Sequence, residues 1–388
     1  MNEPWQNWIL GELDRFERTG LRRHLRRCEN TGAWVTRGAR RLLNLASNDY
    51  LGLANHPRVI AAAQEALRRY GAGATASRHV CGHLPIHADL ERRLAEFKRT
   101  EAAVVYSSGY ATNVGLLTSL CSPGDLVVVD RLAHASLLDG VRLSGATWHR
   151  FRHNDPDHAD RLLRQPARRR CIVTESVFSM DGDLAPLEEL LRLAREHGAA
   201  LIVDEAHATG VYGSGGVGRS CELNADGGLL IPMGTLSKAL ASQGGFVAGP
   251  GWLRDWLVQT SRSLIYSTGL HPAAAGAALG ALEILREEPG RGARLRERAR
   301  QFRRQLRSAG LPVEDSDSPI VPLVVGDNTR ACTLAAALEH EGLLVVAIRP
   351  PSVPPQTARL RVSLSLNLSD EEVAHAADTI IRVWTRNE

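Results

Sequence analysis

Lysine is almost missing from this chain of 388 residues: of its 47 basic residues only Lys98 and Lys238 are lysine, and the rest are arginine. Other absences narrow the field. The start, MNEPWQNWILGELDRF, lacks a basic leader followed by an apolar run, and no segment approaches the roughly 18 uncharged apolar residues that cross a bilayer. A cytoplasmic protein with no membrane partner is expected. Cysteines 28, 81, 121, 171, 221 and 332 lie far apart, with neither a Cys-x-x-Cys pair nor a Cys/His cluster at zinc spacing. They read as reduced, mostly buried thiols, and no metal is expected. No Walker A pattern, low-complexity run or short repeat occurs.

The formal charge of +4 is mild, yet arginines crowd into RGARLRERARQFRRQLR, residues 291–307. Leu295, Ala299, Phe302 and Leu306 recur there at helical spacing, which leaves the arginines on the wet side. A solvated helix face explains the stretch without a nucleic-acid partner. Basic surface near an entrance would also speed encounter with a substrate that carries phosphates or rides on an acidic carrier protein.

A chain of this length with 44% hydrophobic residues buries a large core. From about residue 100 to 250, AAVVYSS, DLVVVD, ATWHRF, CIVTES, ALIVDEA, LLIPMG and GGFVAG read as buried strands, and amphipathic stretches between them read as helices. The pattern predicts an α/β fold whose largely parallel sheet is covered on both faces. After about 270 the texture becomes that of a smaller α+β domain, with strands at IVPLVV, LVVAI and RLRVSLS. The expected division is an N-terminal segment 1–50, a large domain 51–270 and a small domain 271–388.

Open parallel sheets place their chemistry beyond the carboxyl ends of the strands. Gly109 and Tyr110 follow AAVVYSS and open a helix, where free N–H groups make a phosphate seat. His134 follows DLVVVD, and could stack on a planar ring or simply satisfy its loop. Glu175 and Ser179 follow CIVTES. Asp204 ends the most apolar strand, where a carboxylate requires a partner, and His207 stands three positions on. Downstream, GSGGVG matches the dinucleotide fingerprint only formally, since no strand precedes it directly and position 238 is not acidic. It reads as a mobile loop, and Lys98, in LERRLAEFKRT, as part of a charged helix face.

Lys238 in GTLSKAL, near Thr235, is different. An amine that can lose its proton condenses with an aldehyde, whereas guanidinium stays protonated. A planar aldehyde with a pyridine nitrogen and a phosphate needs an amine, an acid, a stacking ring and N–H donors. Lys238, Asp204, His134 and the Gly109–Tyr110 turn supply one each, and together they point to pyridoxal 5'-phosphate.

Those residues lie in motifs that resemble the α-oxoamine synthase family of fold-type I pyridoxal-phosphate enzymes. The marks are SNDYLGL, SSGYATN, HASLLDG, ESVFSMDGD, VDEAHATG, GTLSKAL, IYSTG and AIRPPSVPPQTARLRVSLS, spread nearly end to end. The resemblance implies a large domain with a seven-stranded sheet, and a homodimer in which Ser267 and Thr268 reach the phosphate held by the partner subunit. It gives Gly109 and Tyr110 to the phosphate, Ser179, His207 and Thr235 to cofactor hydrogen bonds, Lys238 to the aldehyde and His134 to the ring face. Asn48, His134, Glu175, Arg22 and Ser352 are implied as substrate contacts, with Arg349 for an amino-acid carboxylate. GDNTRA and AIRPPSVP are most similar to the branch that serves biotin synthesis, where L-alanine condenses with pimeloyl-CoA or pimeloyl-acyl carrier protein; Ser352 stands where that branch usually has Thr. Glycine C-acetyltransferase is the alternative within the family.

Overall fold

Each of the seven apolar runs between residues 100 and 250 becomes a strand of one sheet in the computed structural model, which describes residues 3–387. In chain order, a hairpin of β1 (Trp34–Arg37) and β2 (Arg40–Asn44) comes first. The sheet then takes β3 (Ala102–Tyr106), β4 (Leu126–Asp130), β5 (Thr147–Phe151), β6 (Arg170–Glu175), β7 (Ala199–Asp204), β8 (Leu229–Thr235) and β9 (Gly245–Gly249). Their order is β3-β9-β8-β7-β6-β4-β5, and only β9 runs antiparallel to its neighbours. This is the mostly parallel α/β sheet that the apolar runs predict.

Alternation along a strand explains why both faces are covered. Val127 and Val129 of β4 join a cluster with Leu116, Leu117 and Leu137 from the helices Gly109–Leu120 and Ala135–Ser144. Leu126 and Val128, one position out of phase, join a second cluster with Leu163, Leu190 and Leu191. Two helix layers therefore sandwich the sheet and leave its carboxyl edge for polar residues. At that edge His153, just past β5, bridges Asp130 at 2.9 Å and Asp183 at 2.7 Å. Burial alone would lower its pKa, but the two carboxylates outweigh burial and raise it to about 9.

The sheet belongs to a compact unit made of Asn48–Ser179 and Asp183–Arg296. The other unit holds the chain up to Ser47, Met180–Gly182 and the chain from Glu297 onward. It contains two small sheets: the hairpin joined in parallel by β11 (Leu343–Leu344), and β10 (Ile320–Gly326), β12 (Val346–Ile348) and β13 (Ala358–Ser363) in the order β10-β13-β12. The run LVVAI, expected as one strand, thus splits at Val345 because its halves pair with different partners. On the arginine-rich helix, Ala299, Phe302 and Leu306 are buried as the spacing requires. Arg303, however, is not on the wet side; it is 2% exposed, because its guanidinium donates to the carbonyls of Glu314, Ser318 and Ile320. The cysteines also depart from expectation: all are free thiols, but only Cys121 and Cys171 are buried, and Cys28 and Cys81 are exposed. Among the described residues no helix is long and apolar enough to cross a membrane.

Candidate active site

A cavity of about 280 Å³ opens at the carboxyl edge of the large sheet, lined by Ser108, Gly109, Tyr110, Asn113, His134, Ser136, Glu175, Asp204, Ala206, His207, Met233, Thr235, Ser237 and Lys238. Five strands deliver these residues, since β3, β4, β6, β7 and β8 all end here. The expected set of Gly109, Tyr110, His134, Glu175, Asp204, His207, Thr235 and Lys238 is therefore gathered around one cavity.

Two hydrogen-bond chains organise it. In the first, Lys238 Nζ lies 2.8 Å from His207 Nε2, and His207 Nδ1 lies 2.6 Å from the hydroxyl of Tyr50, which donates to Asn48 Oδ1 at 3.3 Å. Because the Tyr50 proton goes to Asn48, the hydroxyl oxygen accepts from Nδ1–H, and Nε2 is left as the acceptor that faces the amine. In the second, Asn113 Nδ2 donates to Asp204 Oδ2 at 2.8 Å and to Ser136 Oγ at 2.9 Å; Ser136 Oγ then meets His134 Nδ1 at 2.7 Å. Asp204, 4% exposed, also accepts from the backbone N–H of Ala206. The partner that a buried carboxylate requires is an amide and a backbone N–H.

His134 caps the helix Ala135–Ser144, its Nδ1 accepting from the Ser136 N–H, and its own N–H donates to Glu175 Oε1 at 2.7 Å. Burial lowers the pKa of the imidazole. Glu175 pairs with Asp204 across the β6–β7 ladder; burial pushes its carboxyl well above the usual range and Asp204 pushes it further. The turn at Gly109 is built tightly. Ser108 caps the helix Gly109–Leu120 by accepting from the Ala111 N–H, and a Cβ on Gly109 would stand 3.3 Å from Thr235 Oγ1. Thr235 Oγ1 donates to the Gly244 carbonyl and meets Ser237 Oγ at 2.7 Å. The Tyr110 hydroxyl turns away to Asp139.

Other expected residues lie elsewhere. Ser179 is buried but does not line the cavity. Ser267 is half-buried and Thr268, exposed, bridges to Ser77. Arg22, Arg349 and Ser352 belong to the other unit, where they share a cavity of about 540 Å³ and the Arg349 guanidinium donates to the Gly20 carbonyl. Sequence reasoning passed over Tyr50, Asn113 and Ser136. Asn113 carried a signal, since it stands four residues after Gly109 and so on the same helix face. Tyr50 sits inside the quoted SNDYLGL motif, but its 157-residue separation from His207 leaves no local trace.

Two expectations are corrected. Lys98 is not on a charged face; it is 1% exposed, with its ammonium donating to Thr209 Oγ1 and the Val217 carbonyl. GSGGVG, expected as a mobile loop, is packed in at its second half. Gly216, Val217 and Gly218 are buried, and Gly218 is required because a Cβ there would fall 1.7 Å from Glu205 Oε2. Among the described residues no group of three or more His, Cys, Asp or Glu is placed to hold a metal ion.

Residues 40–380 match the aminotransferase class I and II family. The chain is 46% identical to an 8-amino-7-oxononanoate synthase of Geobacillus kaustophilus (strain HTA426), over 95% of each chain. Among solved structures, a lysine-to-alanine variant of serine palmitoyltransferase from S. paucimobilis, with a PLP–myriocin adduct bound, is similar at a TM-score of 0.93 and 29% identity, covering 100% of this chain and 99% of the other. An 8-amino-7-oxononanoate synthase from Francisella tularensis is similar at a TM-score of 0.75 and 27% identity, covering 89% and 98%.

Proposed function

Because this chain belongs to the aminotransferase class I and II family, we propose that it catalyses the 8-amino-7-oxononanoate synthase reaction of biotin synthesis. In that reaction L-alanine and a pimeloyl thioester, on coenzyme A or on acyl carrier protein, condense with loss of CO2 and of the thiol. The enzyme is a pyridoxal-phosphate-dependent C-acyltransferase. The observation that carries the reading is the convergence of Lys238, His207, Asp204 and His134 on one cavity with a helix N-terminus.

The residues fit the cofactor. Lys238 offers an amine to its aldehyde, Asp204 a buried carboxylate to its ring nitrogen, and His134 a flat ring to its face. The opening N–H groups at Gly109 and Tyr110, with Thr235 and Ser237, form a cradle for phosphate. When bound, pyridoxal phosphate supplies an electron sink for negative charge at the amino-acid Cα. The chain's own residues do the rest. Lys238 Nζ takes the Cα proton of alanine and later returns it, while His207 Nε2, set as an acceptor by Tyr50 and Asn48, orients the amine. Asn113 and the Ala206 N–H hold the Asp204 carboxylate in place. Raised as it is, Glu175 keeps its proton to higher pH, which spares the floor of the cavity a second negative charge beside Asp204.

The reading extends to substrate contacts by Asn48, Glu175, Arg22, Arg349 and Ser352, to the hydrogen bond expected of Ser179, and to a homodimer in which Ser267 and Thr268 meet the partner's phosphate. Six free thiols suit a reducing cytoplasm. The test is to incubate the purified protein with L-alanine and pimeloyl thioester and to look for the amino-oxo acid by mass spectrometry. Product from glycine and a short acyl thioester instead would make it a glycine acyltransferase.

A further inference from the structure

The second lysine is as buried as any side chain in the molecule, and the proposed chemistry does not use it. Lys98 Nζ donates to Thr209 Oγ1 at 2.9 Å and to the Val217 carbonyl at 2.6 Å, and lies 3.8 Å from Glu205 Oε2, with both side chains fully buried. Glu205 in turn accepts the N–H groups of Arg219 and Ser220. Phe246 closes the slot with its ring 5.6 Å from the ammonium, and Gly218 closes it elsewhere, since a Cβ there would stand 3.0 Å from Nζ. A guanidinium is too large for this slot. That accounts for a lysine in a chain that otherwise uses arginine.

What the ammonium grips is the turn that carries His207. Ala208 and Thr209 donate their N–H groups to the Glu205 carbonyl, so residues 205–209 form one closed turn, with Asp204 at its start and His207 at its centre. We propose that Lys98 is a positioning residue for the Lys238–His207 pair: it pins the 205–209 turn through Thr209 and neutralises Glu205 behind the cavity. The proposal rests on the reading of Lys238 as the cofactor lysine. The charges near this pair are Asp204, Glu175 and His134 at the cavity, and Lys98 and Glu205 beside the 205–209 turn; Arg219 meets Glu205 through its backbone N–H while its guanidinium turns to the Ser176 and Ala185 carbonyls.

The signs of two opposite substitutions follow. Lys98→Met leaves Glu205 as an uncompensated negative charge, which favours the cationic form of the Lys238 nitrogen. Glu205→Gln leaves Lys98 unopposed and does the reverse.

The experiment is a pH titration of the visible absorbance of the cofactor-loaded protein, together with hydrogen exchange of residues 205–218 with and without cofactor. Lys98→Met should move the absorbance midpoint up by roughly half a unit to one unit, Glu205→Gln should move it down, and the double variant should return it near its starting value. Lys98→Met should also speed exchange across 205–218, and Lys98→Arg should not rescue it. If Lys98→Met does not fold, Glu205→Gln carries the test alone. Variants that lose thermal stability while the midpoint stays fixed would overturn the proposal and leave Lys98 a purely structural residue. A wild-type protein without visible absorbance would instead overturn the functional reading beneath it.

Discussion

The amine of Lys238 lies 2.8 Å from Nε2 of His207. A half-buried amine held by an imidazole acceptor is placed to give up and recover a proton, a property that 45 arginines could not supply. Lys238→Ala should therefore cut turnover at least about a thousandfold, the combined loss of the covalent anchor and the proton carrier. Circular dichroism should be unchanged, and borohydride should no longer fix cofactor mass to the chain.

Tyr50 is fully buried, and its hydroxyl spans His207 and Asn48. Tyr50→Phe removes one oxygen and takes the Tyr50 hydroxyl from His207 Nδ1, at a cost of about 1–3 kcal/mol. The imidazole is then free to present either nitrogen to Lys238. Turnover should fall by roughly ten- to a hundredfold at that cost, and the thermal midpoint should drop with it. A variant with full activity would show that the chain of bonds does not set the tautomer.

Much of this architecture was legible from period and spacing. Runs such as DLVVVD and ALIVDEA are apolar on both faces, which only a doubly covered sheet tolerates, and the polar residue that ends each run marks the edge where the cavity lies. What escaped reading depends on distance along the chain. Lys98 looks solvated because Arg92, Arg93 and Glu96 surround it in sequence, yet its partners are Thr209 and Val217, more than a hundred residues away. The glycines of GSGGVG looked like slack for the same reason, since the Glu205 carboxylate that Gly218 makes room for stands thirteen residues upstream, just past β7. LVVAI gave no hint of its break, because both halves have strand character and only their pairing partners differ.

The His153 cluster sets a limit at alkaline pH. With its folded-state pKa raised to about 9 from an ordinary 6.5, the ring contributes its full stabilisation below about 6.5 and loses it as pH climbs through about 9. The wild-type thermal midpoint should decline between about pH 6.5 and about pH 9. His153→Gln should lower the midpoint at neutral pH and flatten that decline, as differential scanning fluorimetry across a pH series would report. Parallel curves for the two proteins would remove His153 as the cause.

The proposed phosphate seat depends on a glycine that contributes no functional group. A Cβ on Gly245 would stand 2.4 Å from Thr112 Oγ1 and 2.8 Å from the Cα of Gly109, so the start of β9 and the opening of the helix Gly109–Leu120 touch backbone to backbone. Gly245→Ala must push that opening away from Thr235, whose Oγ1 a Cβ on Gly109 would already approach to 3.3 Å. The N–H groups then no longer converge with the Thr235 and Ser237 hydroxyls, and the positive end of the helix is displaced from the phosphate it should hold. Cofactor affinity should fall about tenfold or more, which corresponds to the loss of one charge-assisted hydrogen bond of about 1.5–3 kcal/mol. Lys238 and Asp204 are untouched by this change, so saturating cofactor should restore most of the turnover. Equilibrium titration of the apo variant with pyridoxal phosphate, followed by activity at saturation, separates a damaged seat from a damaged reaction centre. A variant that binds normally but turns over slowly would place the phosphate somewhere other than the Gly109 turn.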